Sequence, residues 1–199
     1  QASGLICCAK HFPGHGDTSV DSHKDLPIVE KERPDVEHTE LVPFRSAIAA
    51  QVGTIMTAHV LFPTYDELRP ATLSPRIIDG VLRKQLGYHG VVISDDMEMK
   101  AVRERYALTD QLDRACRAGL DLFCISRMFE PGLELAMEAY ETLVRLQEEH
   151  GLHDDLATDS QTRLRALRER FFVDAEPQPP LSVVGSTEHK NLALLLEAR

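Results

Sequence analysis

The sequence lacks the features of a membrane protein and those of a general nucleic-acid-binding protein. No apolar run approaches the roughly 20 residues that a transmembrane helix needs. The 199 residues include 22 lysines and arginines against 32 aspartates and glutamates, which gives a formal net charge of −10. Because nucleic-acid binding requires a basic surface, this balance favours a neutral substrate. We expect neither a nucleic-acid partner nor a membrane partner.

Cysteines are few and carry no metal-binding pattern. The four of them, Cys7, Cys8, Cys116 and Cys124, form no C-x-x-C motif. Adjacent residues of a strand point to opposite faces, so Cys7 and Cys8 cannot easily share a disulfide partner. We therefore expect buried free thiols, which are typical of a reducing compartment. No nucleotide-binding motif of the G-x-G-x-x-G or P-loop type follows any apolar run.

The sequence does contain four short apolar runs that alternate with amphipathic stretches. The runs are almost continuously apolar, as expected of strands that are buried on both faces. They cover residues 5–9, 53–60, 90–94 and 119–126, and the amphipathic stretches cover residues 39–51, 74–86 and 109–118. Further helices are predicted at 133–150, 156–172 and 188–199, with a proline-rich linker at 177–180. Strands that alternate with helices predict a parallel sheet with right-handed crossovers.

Polar residues follow each apolar run at its C-terminal end. They are Lys10 and His11, then His59, then Asp95 and Asp96, then Ser126 and Arg127. Because the active sites of (β/α)₈ barrels lie at the C-terminal ends of their strands, this arrangement favours a TIM barrel. A doubly wound sheet also binds ligands at strand C-termini, but no nucleotide-binding motif supports it. Only four βα units are present, whereas a closed barrel has eight over about 250 residues.

The loop after the first run is dense in groups that can titrate. Pro13, Gly14 and Gly16 interrupt regular structure there, and residues 10–23 contain one lysine, two aspartates and three histidines. A loop at a strand end with this composition is a typical location for catalytic groups. The loop is therefore the first candidate for a functional site.

Two motifs in this chain resemble those of a known enzyme family. Residues 10–23 read K-H-F-P-G-H-G-x-x-x-x-D-S-H, and residues 93–99 read I-S-D-D-M-E-M. Together, and in this order, they resemble glycoside hydrolase family 3 in its β-N-acetylhexosaminidase branch. The resemblance implies a retaining exo-β-N-acetylglucosaminidase that acts without a cofactor on an N-acetylglucosamine-containing glycoside. It also implies a role in peptidoglycan (muropeptide) recycling in a bacterial cytoplasm.

The resemblance implies a role for each matched residue. Asp95, which directly follows a serine at a strand end, matches the nucleophile. His23 matches the general acid/base, and Asp21 matches the carboxylate that orients it. An imidazole suits proton transfer in both directions, because its unperturbed pKa lies near ~6.5. Lys10 and His11 match the pair of residues that binds the sugar.

The two remaining polar residues at the strand ends have different expected roles. His59 ends the second run, and we expect it either to line the same pocket and bind substrate or to pack at the rim. Asp96 is expected to point away from its neighbour Asp95 and to cap or orient the following turn.

The barrel of the family begins with strands that would precede Gln1. We therefore expect this chain to be the C-terminal half, β5–β8, of a TIM barrel, with a missing N-terminal half upstream. The partial catalytic domain is predicted to span residues 1–175, and residues 176–199 to form a linker and a terminal helix. An isolated half barrel would expose two sheet edges and much apolar surface.

Two alternative functions remain open from the sequence. The first is a metal-dependent hydrolase, because His11, His15, Asp21 and His23 could supply nitrogen and oxygen ligands. Against it, the H-x₃-H spacing on a Pro/Gly loop matches no standard metal signature. The second alternative is an inactive half-barrel fragment.

Overall fold

The structure is a computed structural model that describes residues 5–18, 26–126, 134–150, 154–172 and 180–197. Asp21, His23 and Arg127 lie outside the described residues, as does the predicted linker up to residue 179.

Four parallel strands form the central sheet. They are β1 (Cys8–Phe12), β2 (Thr54–Thr57), β5 (Val91–Asp96) and β6 (Leu122–Cys124), and their order across the sheet is β1-β2-β5-β6. The predicted α/β class with a parallel sheet is thereby confirmed. The described strands form an open sheet rather than a closed barrel. An antiparallel pair, β3 (Leu61–Phe62) with β4 (Asp66–Pro70), projects from the connection between β2 and β5.

Helices occupy every crossover between the parallel strands. The β1–β2 connection holds α1 (Arg33–His38) and α2 (Val42–Ala49), and the β2–β5 connection holds a 3₁₀ turn (Ala71–Leu73) and a π-helix (Arg76–Gln85). The β5–β6 connection holds α3 (Lys100–Arg103) and α4 (Leu108–Ala118). After β6 come α5 (Glu134–His150), α6 (Asp154–Phe172), a 3₁₀ turn (Leu181–Val183) and α7 (Thr187–Glu197).

A serine precedes the π-helix, and glycines follow the π-helix and α4. The Ser74 hydroxyl oxygen accepts the Ile77 backbone N–H at 3.3 Å, which satisfies one unpaired donor of the π-helix. Gly87 and Gly119 follow the π-helix and α4 with φ of 69° and 102°. In that left-handed region glycine avoids the steric cost of a Cβ atom.

The first apolar run differs from its prediction in position and in burial. The strand is Cys8–Phe12 rather than residues 5–9, and Leu5 is 70% exposed. Cys8 and Lys10 of β1 are exposed, so the prediction that this strand is buried on both faces is wrong. In the described part of the chain β1 is also an edge strand. The predicted burial of all four thiols is also wrong, because Cys7 and Cys8 are exposed. None of the four cysteines forms a disulfide.

The main core packs the sheet against the helices of its crossovers. Phe12 of β1 contacts Phe44 of α2 edge to face, with ring centroids 5.0 Å apart. Ile55 of β2 and Ile77 and Leu82 of the π-helix are fully buried in the same cluster. Predicted helix 39–51 is shorter in the structure and is preceded by α1, whose polar sequence contains a single buried residue, Val36.

A buried ion cluster closes the N-terminal end of the sheet. The Asp121 carboxylate is fully buried and accepts hydrogen bonds from Arg83 of the π-helix at 2.8 Å and from Arg163 of α6 at 2.8 and 2.9 Å. It also accepts the backbone N–H of Val92 in β5 at 2.8 Å. Burial lowers the pKa of Arg83, and the attraction of Asp121 opposes that shift. One carboxylate therefore joins β5, the π-helix and α6.

We expect Asp121→Ala to lower the free energy of unfolding by about 3–5 kcal/mol, because it leaves two partly buried guanidinium groups without their carboxylate. Asp113→Ala is the matched control. It removes a surface carboxylate that pairs with Arg117 one turn away at 2.9 Å, and we expect it to cost no more than ~0.5 kcal/mol. Urea unfolding of the three proteins measures both values. Equal unfolding midpoints for the two variants would contradict the central role of Asp121.

Candidate active site

The C-terminal edge of the sheet brings together side chains from three strands. Asp95 lies near the end of β5, His11 lies in β1, and His59 follows β2. Strand β2 separates β1 from β5, yet His11 Nε2 is 3.6 Å from Asp95 Oδ2. The two side chains thus meet across the end of the strand between them. The structure brings these predicted site residues together.

The Asp95 carboxylate has two different environments at its two oxygen atoms. Oδ1 accepts the backbone N–H of Asp96 at 2.8 Å. Oδ2 faces the His11 imidazole and is close to it. The side chain is 18% exposed, so it is sheltered but reachable. The arrangement leaves one carboxylate oxygen directed toward the site while the other is held by the main chain.

Asp96 turns away from Asp95, as predicted, and ties β5 to the end of β6. Its Oδ1 accepts the backbone N–H groups of Glu98 at 3.1 Å and Ser126 at 3.0 Å. The Ser126 hydroxyl donates a hydrogen bond to Asp96 Oδ2. These bonds confirm the expected turn-orienting role of Asp96, and they fix the position of the residue next to the candidate nucleophile.

The surroundings of His11 favour the uncharged form of its imidazole. Burial lowers the pKa of its imidazole, the Asp95 carboxylate opposes the shift, and the nearby Lys10 and His15 add to it. The His11 and His15 rings pack edge to face with centroids 6.1 Å apart. A neutral imidazole beside the carboxylate can donate a hydrogen bond to a ligand without forming a permanent ion pair.

His59 does not line the pocket, which was one of the two positions expected for it. Its side chain is fully buried. Its Nδ1 is 2.8 Å from the Thr72 hydroxyl oxygen, and its Nε2 is 2.9 Å from the backbone carbonyl oxygen of Asp96. Both ring nitrogens are therefore engaged inside the protein, which agrees with the packing alternative.

The segment that follows β1 is held by an ion network from α1 and its flanking residues. Lys31 Nζ lies 2.7 Å from Glu40 Oε1 and 3.1 Å from Asp17 Oδ2. Burial opposes ionisation of Glu40, but hydrogen bonds from Lys31 and Thr39 outweigh it and lower the pKa of the carboxyl group. Hydrogen bonds to Glu40 and Asp17 raise the pKa of Lys31. Sequence reasoning missed Lys31 and Glu40, because no motif marks them.

A cleft of about 870 Å³ opens beside this segment. Lys10 and His11 of β1 form part of its lining together with Asp17 and Lys31. Lys10 is exposed and belongs to β1 rather than to the loop after it. Asp95 is not part of this lining, so His11 is the residue that both lines the cleft and lies beside Asp95.

The predicted acid/base His23 and its partner Asp21 lie outside the described residues, so their roles stay predictions. Within the described ranges, no group of three or more His, Cys, Asp or Glu side chains is arranged to hold a metal ion.

A parallel α/β sheet with a held carboxylate at its C-terminal edge is typical of enzyme domains that place their catalytic groups at strand ends. The chain belongs to glycoside hydrolase family 3: residues 1–165 match the family model described as "Glycosyl hydrolase family 3 N terminal domain".

Individual relatives agree with this membership. Beta-hexosaminidase A of Pseudoalteromonas piscicida is 30% identical over 219 aligned residues, which cover 96% of this chain and 35% of the relative. Beta-hexosaminidase of Nitrosospira multiformis is 31% identical over 197 residues, which cover 99% of this chain and 50% of the relative. The glycoside hydrolase family 3 beta-N-acetylglucosaminidase of Paenibacillus sp. FPU-7 has a solved structure that superposes with a TM-score of 0.87 and 40% identity, covering 96% of this chain and 36% of that chain.

The chain therefore spans about a third to a half of the length of these relatives.

Gly14 packs closely against the Glu40 side chain. A Cβ atom at Gly14 would lie 2.5 Å from Glu40 Cγ, and Gly14 has a φ of 150° that side chains rarely adopt. We expect Gly14→Ala to lower the free energy of unfolding by about 1–3 kcal/mol, because either the segment or the Glu40–Lys31 pair must move.

Gly16→Ala is the control for this prediction, because a Cβ atom there would meet nothing within 4 Å. Urea unfolding compares the two variants with the parent chain. A Gly14→Ala protein as stable as Gly16→Ala would show that the approach to Glu40 is not tight.

Proposed function

We propose that this chain carries the catalytic carboxylate and the acid/base histidine of a retaining exo-β-N-acetylglucosaminidase. The observation that carries the proposal is the state of Asp95, whose carboxylate lies at the C-terminal end of a buried parallel strand. The main-chain N–H of Asp96 holds one of its oxygens, and the other is directed at the site. The names of the relatives, beta-hexosaminidase and beta-N-acetylglucosaminidase, support the same activity.

The proposed reaction has two steps. Asp95 Oδ2 attacks the anomeric carbon of the terminal sugar and forms an ester bond, while the bond from that carbon to the aglycone oxygen breaks. His23, oriented by Asp21, gives its proton to the departing oxygen. In the second step His23 takes a proton from water, the water oxygen attacks the anomeric carbon, and Asp95 leaves as a carboxylate. Two inversions give net retention.

The described residues suit the binding part of this reaction. Lys10 and His11 line the cleft, and His11 also lies beside Asp95. Their N–H groups would donate hydrogen bonds to sugar hydroxyls. The surroundings of His11 favour the uncharged form of its imidazole, which can donate to a neutral sugar without attracting an anion instead.

We propose that the four parallel strands of the sheet correspond to the fifth to eighth strands of a TIM barrel. The four parallel strands lie side by side in chain order, as consecutive strands of a barrel do. A doubly wound sheet would instead reverse its strand order at a switch point. In this proposal residues 1–175 form the partial catalytic domain and residues 176–199 the linker and terminal helix. The upstream half barrel supplies the remaining contacts to the sugar.

We further propose a role in the recycling of peptidoglycan fragments in the bacterial cytoplasm. Four cysteines without a disulfide suit a reducing compartment. In the part of the chain that the structure describes, none of the helices has the length and apolar character to cross a bilayer.

Hydrolysis of a chromogenic N-acetylglucosaminide tests the activity. The assay compares this chain with a longer product that extends upstream of Gln1, and both are analysed by NMR for the anomer first released. Release of the β anomer supports the proposal. Release of the α anomer, or no hydrolysis by either protein, overturns it.

We expect Asp95→Ala to lower kcat/KM of the active form by at least about 1,000-fold, since loss of a nucleophile typically costs more than that. The matched control is Asp79→Ala, which removes an exposed carboxylate paired with Lys84 at 2.6 Å, and it should retain the parent rate. Steady-state assays measure both. An Asp95→Ala enzyme that turns over at the rate of Asp79→Ala would exclude Asp95 as the nucleophile.

We expect His23→Ala to discriminate between leaving groups. Poor leaving groups need protonation in the first step, so their hydrolysis should fall by a factor of about 100 or more. An activated aryl leaving group departs with little protonation, and its release should be much less affected. Burst kinetics with the two substrate types measure the first step, and equal losses on both would contradict the acid role of His23.

A further inference from the structure

Three fully buried polar side chains form a row behind the candidate nucleophile. They are Thr57 at the end of β2, His59 just after it, and Thr72 in the 3₁₀ turn that precedes the π-helix. Thr57 Oγ1 is 3.0 Å from Thr72 Oγ1, and Thr72 Oγ1 is 2.8 Å from His59 Nδ1. Neither the family motifs nor the proposed reaction uses the two threonines.

The available hydrogen atoms determine which group donates each hydrogen bond in this row. The carbonyl oxygen of Asp96 can only accept, so His59 Nε2, at 2.9 Å, must carry the hydrogen and donate it. Burial lowers the pKa of His59 more than the nearby Asp95 and Asp96 raise it, so the ring is neutral and Nδ1 is an acceptor. The Thr72 hydroxyl therefore donates to His59 Nδ1.

The Thr57 hydroxyl group is the first donor in this row of hydrogen bonds. Thr72 is also 3.0 Å from the Ala58 carbonyl oxygen, but its single hydrogen is used by His59. The Thr57 hydroxyl can then donate to Thr72 at 3.0 Å, since its other acceptor, the Ile93 carbonyl oxygen, is 3.5 Å away. The hydrogen bonds run from Thr57 to Thr72, to His59 and to the Asp96 carbonyl group.

The last bond acts on the residue that orients the nucleophile. The Asp96 backbone N–H donates to Asp95 Oδ1 at 2.8 Å, and its carbonyl oxygen is the acceptor of His59. Fixing the carbonyl end of Asp96 limits rotation of its main chain and hence the direction of its N–H.

We propose that His59 is a positioning residue, held by Thr72, that sets the orientation of the Asp95 carboxylate through the main chain of Asp96. This inference rests on the proposed function of Asp95 as a nucleophile. In this proposal His59 does not contact substrate but acts through Asp96. Attack on the anomeric carbon needs one oxygen in a narrow range of positions, and small misplacements of catalytic groups can cost about 100-fold in rate.

The test compares Thr72→Val, Thr72→Ser and Thr54→Val in the active form of the protein. Valine has nearly the shape of threonine but cannot donate to His59 Nδ1, whereas serine can. Thr54 is the matched control, because it lies on the same strand as Thr57 but its hydroxyl donates to the Cys7 carbonyl oxygen at 3.2 Å, away from the site.

We expect Thr72→Val to lower kcat by about 10- to 100-fold with KM changed less than about twofold, because substrate contacts remain intact. Thr72→Ser should restore most of the rate, and Thr54→Val should keep all of it. A Thr72→Val enzyme with the kcat of Thr54→Val overturns the proposal, as does a Thr72→Ser enzyme that is as slow as Thr72→Val.

Amide hydrogen exchange provides a readout that does not depend on activity. In this chain, Thr72→Val should speed exchange of the Asp96 N–H at least about tenfold, with exchange of the Val92 N–H at the other end of β5 unchanged. Because Val92 donates to the Asp121 carboxylate, it reports on general loosening. Accelerated exchange at Val92 together with Asp96, or at neither, overturns the positioning role. If the parent protein hydrolyses no substrate, the proposed function fails while this exchange experiment still decides whether His59 positions Asp96.

Discussion

The fixed position of Asp96 is the constraint on which the candidate site depends. The backbone pairing of β2 with β5 extends only to Met56 and Ile93, whereas on its other side β5 pairs with β6 as far as Asp96 and Cys124. Beyond Ile93 the main chain therefore lacks a backbone partner only on the side that faces β2. The buried ring of His59 donates to the carbonyl oxygen of Asp96, and Ser126 donates to its carboxylate from the other side. On the β2 side the His59 side chain thus takes the place of a sheet hydrogen bond at the end of β5, while the backbone of β6 holds the other side.

The two ends of β5 are held by different chemistry. At the N-terminal end a charged group, the Asp121 carboxylate, binds Val92 and two arginines. At the C-terminal end the anchor of the main chain is a neutral ring, His59. Hydrogen bonds to a buried charged group are strong and suit a structural role. A neutral ring holds the main chain without placing an additional charge beside the reacting groups. This agrees with the general division of parallel α/β folds into a stabilising end and a functional end.

Sequence reasoning reached the parallel sheet and the position of Asp95, because both depend on local patterns of apolar runs and polar ends. It missed the exposure of Cys8 and Lys10 in β1, since an apolar run does not reveal what packs on the faces of the strand. It left His59 between two roles for a similar reason. The partner of its Nδ1 is Thr72, 13 residues away and in a 3₁₀ turn that no motif marks, so only the folded chain could decide.

A nucleophilic carboxylate loses its negative charge when it bonds to the sugar, and its neighbours influence what that loss costs. A permanently charged ammonium or guanidinium group close to Asp95 would stabilise the free carboxylate more than the ester and so oppose attack. In the described part of the chain the group that faces Asp95 Oδ2 is His11, whose surroundings favour the uncharged form of its imidazole. The structure therefore holds the carboxylate by a neutral main-chain donor, the Asp96 N–H, and places an imidazole rather than a fixed cation beside it. This surrounding opposes attack less than a fixed cation would.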